Sequence, residues 1–163
     1  MTMSTISLLE WIESTELSTA IREGALYYPI IGGVHLLGIA LFGGMLLMTD
    51  LRLLGWAMQL RPVSDIVRQF RWWKRAGFVI VTGSGLLLGW CEPLKLYRSP
   101  AFWVKMALLA MVGVHALVFR ARVYGDPAKL DTAVTNEAKL AASLSLFLWA
   151  GLIISGRLIA FDS

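Results

Sequence analysis

The sequence predicts an all-α protein, a bundle of four transmembrane helices, and three observations support this fold class. First, 57% of the 163 residues are hydrophobic and only 16% are charged, whereas about a quarter of the residues of a soluble protein are charged. Second, mean hydropathy is +0.66, and the apolar residues form four blocks rather than amphipathic stripes. Third, clusters of charged residues separate these blocks. We therefore expect a single integral membrane domain over residues 1–163.

A membrane-spanning helix needs roughly 20 mostly apolar residues. The first block meets this requirement, because no charged residue lies between Glu23 and Asp50. The second block is short, but Trp72 and Trp73 precede it and Trp90 closes it, as interfacial aromatic residues usually flank a span. The four predicted spans cover residues 24–49, 76–91, 99–119 and 140–160.

Two amphipathic segments lie outside these spans. In residues 1–23, apolar residues recur at near-helical spacing against glutamates, so we expect a surface helix on the outer side of the membrane. A stripe of apolar residues at i, i+3, i+4 and i+7 begins at Val63, directly after Pro62, and proline suits the first turn of a helix. This stripe predicts a cytoplasmic amphipathic helix between spans one and two. Anchoring at the membrane surface explains both segments, and neither segment then needs a catalytic or binding role.

The basic residues predict the orientation of the bundle. Ten of the 15 lysines and arginines lie in the loops between spans one and two and between spans three and four. The positive-inside rule therefore places both long loops in the cytoplasm and both termini outside. The net charge of +4 follows mainly from this topology. No nucleic-acid-binding motif surrounds these residues, so we expect no nucleic-acid partner.

The two histidines are the main candidates for chemistry. His35 and His115 lie eighty residues apart in spans one and three, and both follow Gly-Val. Ionisable residues inside a span are costly and usually mark function. Two histidines on helices that run in the same direction suggest a metal site, and above all the axial ligation of a haem b, as in membrane cytochromes.

The predicted depths of the two rings argue against one shared iron. His35 lies about 2 Å to the outer side of its span centre and His115 about 9 Å to the inner side, whereas one iron needs two nitrogens about 4 Å apart. Met111 shares a helix face with His115 and lies nearer to His35 in depth, so a His/Met pair is an alternative. Alternatively, each histidine donates a hydrogen bond to a backbone carbonyl, serine or threonine and only sets helix packing.

Arg157, in the segment SGRLIAF, is predicted at the outer interface. Its guanidinium suits an anion such as a haem propionate, a lipid phosphate or a carboxylate at a quinone site. The favoured alternative is an ion pair with Glu23 or Glu92, or simple contact with the headgroups. Gly-rich phosphate loops, CxxC or HExxH metal motifs and Ser/His/Asp arrangements are absent from the sequence, so we assign no catalytic residue.

Four segments, LLEWIE, GVHLLG, DLRLLG and SGRLIAF, occur in this order across nearly the whole chain. Together they resemble a family of small bacterial four-span membrane proteins of unknown function, with matches at His35, Asp50, Arg52 and Arg157. The resemblance implies the fold and the bacterial inner membrane, and hence periplasmic termini, but no activity. Span three of this family often carries asparagine in place of His115, which weakens a paired-histidine mechanism. A looser similarity, in span number and histidine use, is to cytochrome b561-type and copper-resistance membrane proteins.

These observations lead to one functional hypothesis and two alternatives. The first is a cytochrome-b-like electron-transfer or quinone-reactive component, with His35 as first ligand, His115 or Met111 as second, and Arg157 near a propionate. The second is a non-catalytic subunit or anchor of a larger membrane complex. A small permease or metal-ion pathway is less favoured, because Asp50 is the one acidic residue that approaches a span. Besides the bilayer, the expected partner is a redox protein or a larger complex, and a homo-oligomer would let the two histidine depths meet across an interface.

Overall fold

The structure is a computed structural model that describes residues 4–161 apart from the side chains of Arg120 and Arg122. Every regular element among the described residues is helical, which confirms the all-α class. The helices are α1 (Thr5–Glu13), α2 (Glu16–Glu23), α3 (Tyr27–Leu54), α4 (Val63–Cys91), α5 (Pro93–Arg98), α6 (Pro100–Arg122), α7 (Lys129–Thr132) and α8 (Asn136–Ile159).

Three of these helices are long and apolar enough to cross a membrane. They are α3, the part of α6 from Pro100 to Phe119, and α8. Large apolar side chains point outward from them, including Leu36, Leu117 and Phe147, which are 68%, 76% and 72% exposed. Soluble proteins rarely expose apolar surface on this scale, so these faces suit contact with lipid.

Helix α4 joins two elements that the sequence predicted separately. The expected amphipathic helix after Pro62 and the expected second span at residues 76–91 form one continuous helix of 29 residues. The separation was wrong because no proline or glycine interrupts residues 63–76, so nothing ends the helix before its apolar part. Basic residues occupy the first half of α4, which is not among the three membrane-long apolar helices. The fourth span therefore stays a prediction.

The long helices pack as two pairs joined through one seam. Helix α3 packs against α4, α6 packs against α8, and α3 contacts α8 between the pairs. At the seam, Gly43 lies directly against the Trp149 ring, and within the first pair a Cβ on Gly38 would lie 2.9 Å from the Val81 side chain. Because both residues lack a side chain, the helices approach closely there.

The best-buried cluster lies where α3 ends and α4, α7 and α8 begin, and we call this the core end of the bundle. Its fully buried members include Leu53 of α3 and Val63 of α4, and Leu130 of α7 and Ala138 of α8 close it from the other side. We call the opposite end, where α4 ends and α6 begins, the cap end. The sequence predicted the core end to be cytoplasmic.

At the cap end, the predicted surface helix of residues 1–23 is two helices, α1 and α2, and residues 1–3 lie outside the described range. The buried Ser18 hydroxyl donates to the Cys91 carbonyl oxygen over 3.3 Å, and the Arg22 guanidinium donates to the same oxygen over 3.2 Å. Arg22 also lies 3.3 Å from the Glu13 carboxylate. Helix α2 is therefore bonded to the end of α4 as well as being amphipathic.

Candidate functional site

His35 lies on α3 with its ring turned towards α4. Its Nδ1 is 2.9 Å from the hydroxyl oxygen of Ser84, which itself donates to the Ile80 carbonyl over 2.5 Å. A hydroxyl has a single proton, so Ser84 must accept the hydrogen bond from Nδ1–H of the imidazole. Nε2 of the neutral ring then keeps its lone pair. The ring also has a backbone hydrogen bond to Val81 of α4.

Two further residues shape the space around this ring. A Cβ on Gly85 of α4 would lie 3.0 Å from Cε1 of His35 and 3.9 Å from Nε2. The ammonium group of Lys105, on α6, is close enough to act on the ring electrostatically, and it lies 3.5 Å from where a Cβ on Gly156 of α8 would be. We call His35, Ser84, Gly85 and Lys105 the His35 site; it draws on three helices.

His115 is turned towards a different helix. Its Nε2 lies 3.0 Å from the Ala141 carbonyl oxygen of α8, and since a carbonyl only accepts, Nε2–H is the donor. Its ring also contacts Phe119, with 4.9 Å between centroids. The two histidines therefore point at separate partners, Ser84 on α4 and Ala141 on α8. Each makes the kind of interhelical hydrogen bond that the packing alternative predicts.

The other two predicted ligands are exposed. Met111 is 50% exposed on α6. Arg157 lies at the cap end of α8, with its guanidinium 4.7 Å from the centre of the Phe161 ring. The expected ion pair of Arg157 with Glu23 or Glu92 is not found among the described side chains: Glu92 instead accepts a hydrogen bond from a tyrosine hydroxyl of α3 over 3.0 Å. The cation–π contact holds the guanidinium over its own helix end, away from both glutamates.

A second polar group, at the core end, was missed by sequence reasoning. Thr49 and Asp50 on α3 are 2% and 3% exposed. The Lys74 ammonium donates to the Thr49 hydroxyl over 2.7 Å, while that hydroxyl donates to the Met45 carbonyl over 2.9 Å. The Asp50 carboxylate accepts a hydrogen bond from the Ser145 hydroxyl of α8.

The signal that could have revealed this group is the position of Lys74. The apolar stripe that starts at Val63 continues at helical spacing through Phe70 to Lys74 and Gly77, so on a continuous α4 this lysine lies on the buried face. The prediction of a separate surface helix after Pro62 did not extend this face to Lys74. A lysine on the buried face of a helix usually has a partner or a function.

Tyr124, just after α6, completes the core-end group. Burial, together with the negative charge of Asp50, raises the pKa of the Tyr124 hydroxyl above its usual value. We call Thr49, Asp50, Lys74, Tyr124 and Ser145 the Asp50 cluster. Asp50 follows His35 by fifteen residues on the same helix, about 22 Å along its axis, so the cluster and the His35 site are separate.

Within the described ranges, no group of three or more His, Cys, Asp or Glu side chains is placed to hold a metal ion. No curated protein and no solved structure matches this chain. A family model described as a family of unknown function (DUF6644) matches residues 8–162. This match supports the resemblance to a family of unknown function; the cytochrome b561 likeness has no such support. The match covers nearly all of the sequence, and the chain therefore belongs to the DUF6644 family.

Proposed function

We propose that this protein is a membrane electron-transfer component with a quinone-reactive site at His35. The observation that carries this proposal is the orientation of the His35 ring: Ser84 holds its Nδ1, which leaves the lone pair on Nε2, and the Lys105 ammonium acts on the ring electrostatically. A lone-pair nitrogen beside a cation, both within apolar helices, provides an acceptor for a hydroxyl proton and a positive charge for the oxygen that loses it.

A quinol fits this pair of groups. One ring hydroxyl donates to Nε2 of His35, and Lys105 stabilises the negative charge that develops on the oxygen when its proton moves to the imidazole. Oxidation to the quinone releases two electrons and two protons: both electrons pass to a redox partner, such as a haem or flavin protein of the same membrane, one proton moves to His35 and the other leaves to water.

Haem b is the other group that could bind His35. Ligand histidines usually donate their second ring N–H to a neighbouring oxygen, and Nδ1 of His35 does this with Ser84. His115 is poorly suited as the opposite ligand within one chain, because its Nε2 is bonded to Ala141. A haem would therefore take its second ligand from Met111 or from a second copy of the chain, and Arg157 would face a propionate.

The proposed setting is the bacterial inner membrane. The second half of α4 provides the fourth span, the core end faces the cytoplasm and both termini lie in the periplasm. The excess of basic residues near the core end supports this orientation. The cap-end helices α1, α2 and α5 would then lie at the periplasmic surface.

The test uses the full chain in detergent, titrated with a short-chain benzoquinol while binding is followed by calorimetry. We expect His35→Ala to weaken binding about fivefold, because a hydrogen bond between a neutral hydroxyl and a neutral imidazole is worth about 1 kcal/mol. His115→Ala is the matched control and should bind within about twofold of wild type. Equal quinol affinity in wild type and His35→Ala would overturn the quinone proposal.

Haem is tested separately, by the optical spectrum of protein expressed with ample haem. A Soret band that His35→Ala abolishes and His115→Ala retains assigns the haem to His35. Absence of both the Soret band and quinol binding would refute the electron-transfer function. It would support the second candidate, a non-catalytic subunit or anchor, which is favoured by the interhelical hydrogen bonds of both histidines.

A further inference from the structure

In the Asp50 cluster, the buried Asp50 carboxyl group and the partly exposed Lys74 ammonium group lie near each other without a direct ion pair. The ion pairs within 4.0 Å among the described side chains are Arg22–Glu13, Arg68–Asp65 and Lys129–Asp126, all at partly or largely exposed side chains. Asp50 and Lys74 are not among them. Each is instead bonded to a hydroxyl group, Asp50 to Ser145 and Lys74 to Thr49.

This arrangement is unusual for a structural pair. A buried carboxylate is normally retained only with a charged partner in contact, because its desolvation is costly. Asp50 is 3% exposed and relies on a neutral hydroxyl and a lysine beyond contact distance. Burial without a charged partner in contact disfavours the charged form of a carboxyl group, so such a group binds a proton more readily than an exposed one.

Part of the Asp50 cluster is accessible to water. Lys74 and Tyr124 are partly exposed at the core end, whereas Thr49 and Asp50 behind them are buried. The titratable groups that act on Asp50 are Lys74 from α4 and Tyr124 from the segment after α6, and α8 contributes the uncharged Ser145. The members of the cluster that are accessible to water therefore lie at the core end.

We propose that the Asp50 cluster is a proton-binding site, in which the Asp50 carboxylate takes up one proton from the aqueous phase at the core end and returns it there. On uptake an O–H bond forms on Asp50, and the cluster gains one positive charge because Lys74 keeps its own protons. On release the same bond breaks. The site is about 22 Å from His35 along α3 and does not depend on the function proposed there.

The test is infrared difference spectroscopy of the full chain in lipid vesicles as the pH is stepped. A protonated carboxyl gives a C=O stretching band that an ionised carboxylate lacks. We expect a band that titrates in wild type, disappears in Asp50→Asn and persists in Asp65→Asn, whose carboxyl is exposed beside Arg68. Labelling the wild type with ¹³C-aspartate should move the same band, which assigns it to aspartate even if Asp50→Asn does not fold.

Lys74→Gln provides the decisive comparison. Removal of the positive charge near Asp50 should raise the midpoint of the band by at least about one pH unit, whereas Lys129→Gln, at an exposed lysine, should leave it unchanged. A wild-type spectrum without a titrating aspartate band would overturn the proposal. So would an equal midpoint in wild type and Lys74→Gln, because the titrating aspartate would then not be the one beside Lys74.

Discussion

Gly85 of α4 lies so close to the His35 ring of α3 that a Cβ at this glycine would be 3.0 Å from Cε1 of the imidazole. This distance is shorter than about nine in ten real Cβ contacts, so the ring must shift by a few tenths of an ångström when a side chain is added. The ring cannot move freely, since Ser84 holds its Nδ1. The absence of a side chain at Gly85 therefore helps to fix the orientation of the His35 ring.

Gly85→Ala should therefore destabilise the α3–α4 pair by about 1–3 kcal/mol, the usual range for overpacking. The measurement is thermal unfolding of the detergent-solubilised chain, followed by circular dichroism. Gly83→Ala is the matched control, because a Cβ there meets no atom within 4 Å; it should leave stability unchanged or slightly raised, as expected for alanine in a helix. Equal melting temperatures for the two variants would contradict the close contact.

Leu53 tests whether the core end carries much of the stability. It is 0% exposed among the buried residues where α3, α4, α7 and α8 meet. Leu53→Ala should cost about 2–5 kcal/mol through lost burial and the cavity left behind. Leu60, which is 100% exposed in the loop that follows, is the control, and Leu60→Ala should change stability by less than about 0.5 kcal/mol. Denaturant titration of both variants in the same detergent makes the comparison.

The Asp131 carboxylate, which bonds to the start of α4, should make the stability of the protein depend on pH. Its carboxylate accepts hydrogen bonds from the Ser64 hydroxyl over 2.6 Å and from the Ser64 N–H over 3.0 Å, which caps a helix end whose first N–H groups lack partners inside the helix. These two bonds, the hydroxyl first, lower the pKa of Asp131 below its usual value. The carboxylate therefore stabilises the fold fully above the unfolded-state pKa of about 3.9. This contribution is lost as the pH falls through the lower folded-state pKa.

Asp131→Asn should accordingly be less stable than wild type at neutral pH, and the difference should shrink to nothing as the pH falls through the lowered folded-state pKa of Asp131. Unfolding midpoints measured from neutral to acidic pH give the comparison. Asp126→Asn, an exposed neighbour paired with Lys129, serves as the reference. A wild-type minus Asp131→Asn difference that is constant with pH would show that the charge of Asp131 has no part in capping α4.

Cys91 reports on the attachment of α2. It is 0% exposed, and its carbonyl oxygen accepts hydrogen bonds from Ser18 and Arg22. Arg22→Ala removes one of these bonds, worth about 1 kcal/mol, so α2 should open about fivefold more often. The rate at which a maleimide labels the Cys91 thiol should rise by the same factor, while Lys95→Ala, at an exposed side chain of α5, should label at the wild-type rate. No change in Arg22→Ala would mean that α2 shields the thiol without this bond.

The candidate sites were predictable to different degrees. His35 and His115 stood out because they are the two histidines in otherwise apolar spans, and their interhelical hydrogen bonds match the alternative in which they set packing. Their different partners could not be read from the sequence, because the direction of a ring depends on which helix lies beside it. Lys74 could not be recognised for a related reason. Its place on the buried face of α4 follows only once α4 is known to be one continuous helix.

The sequence by itself determined the all-α class and the membrane character, because long uninterrupted apolar blocks can satisfy their backbone hydrogen bonds only as helices in lipid. It also indicated where each long apolar helix lies, since charged residues and glycines mark the ends. Only the tertiary structure decided that His35 and His115 face different helices and that Asp50 and Lys74 belong to one cluster at the core end. Those contacts depend on how each helix is rotated about its axis, and in a mostly apolar bundle this rotation is set by close packing at small residues rather than by a hydrophobic stripe.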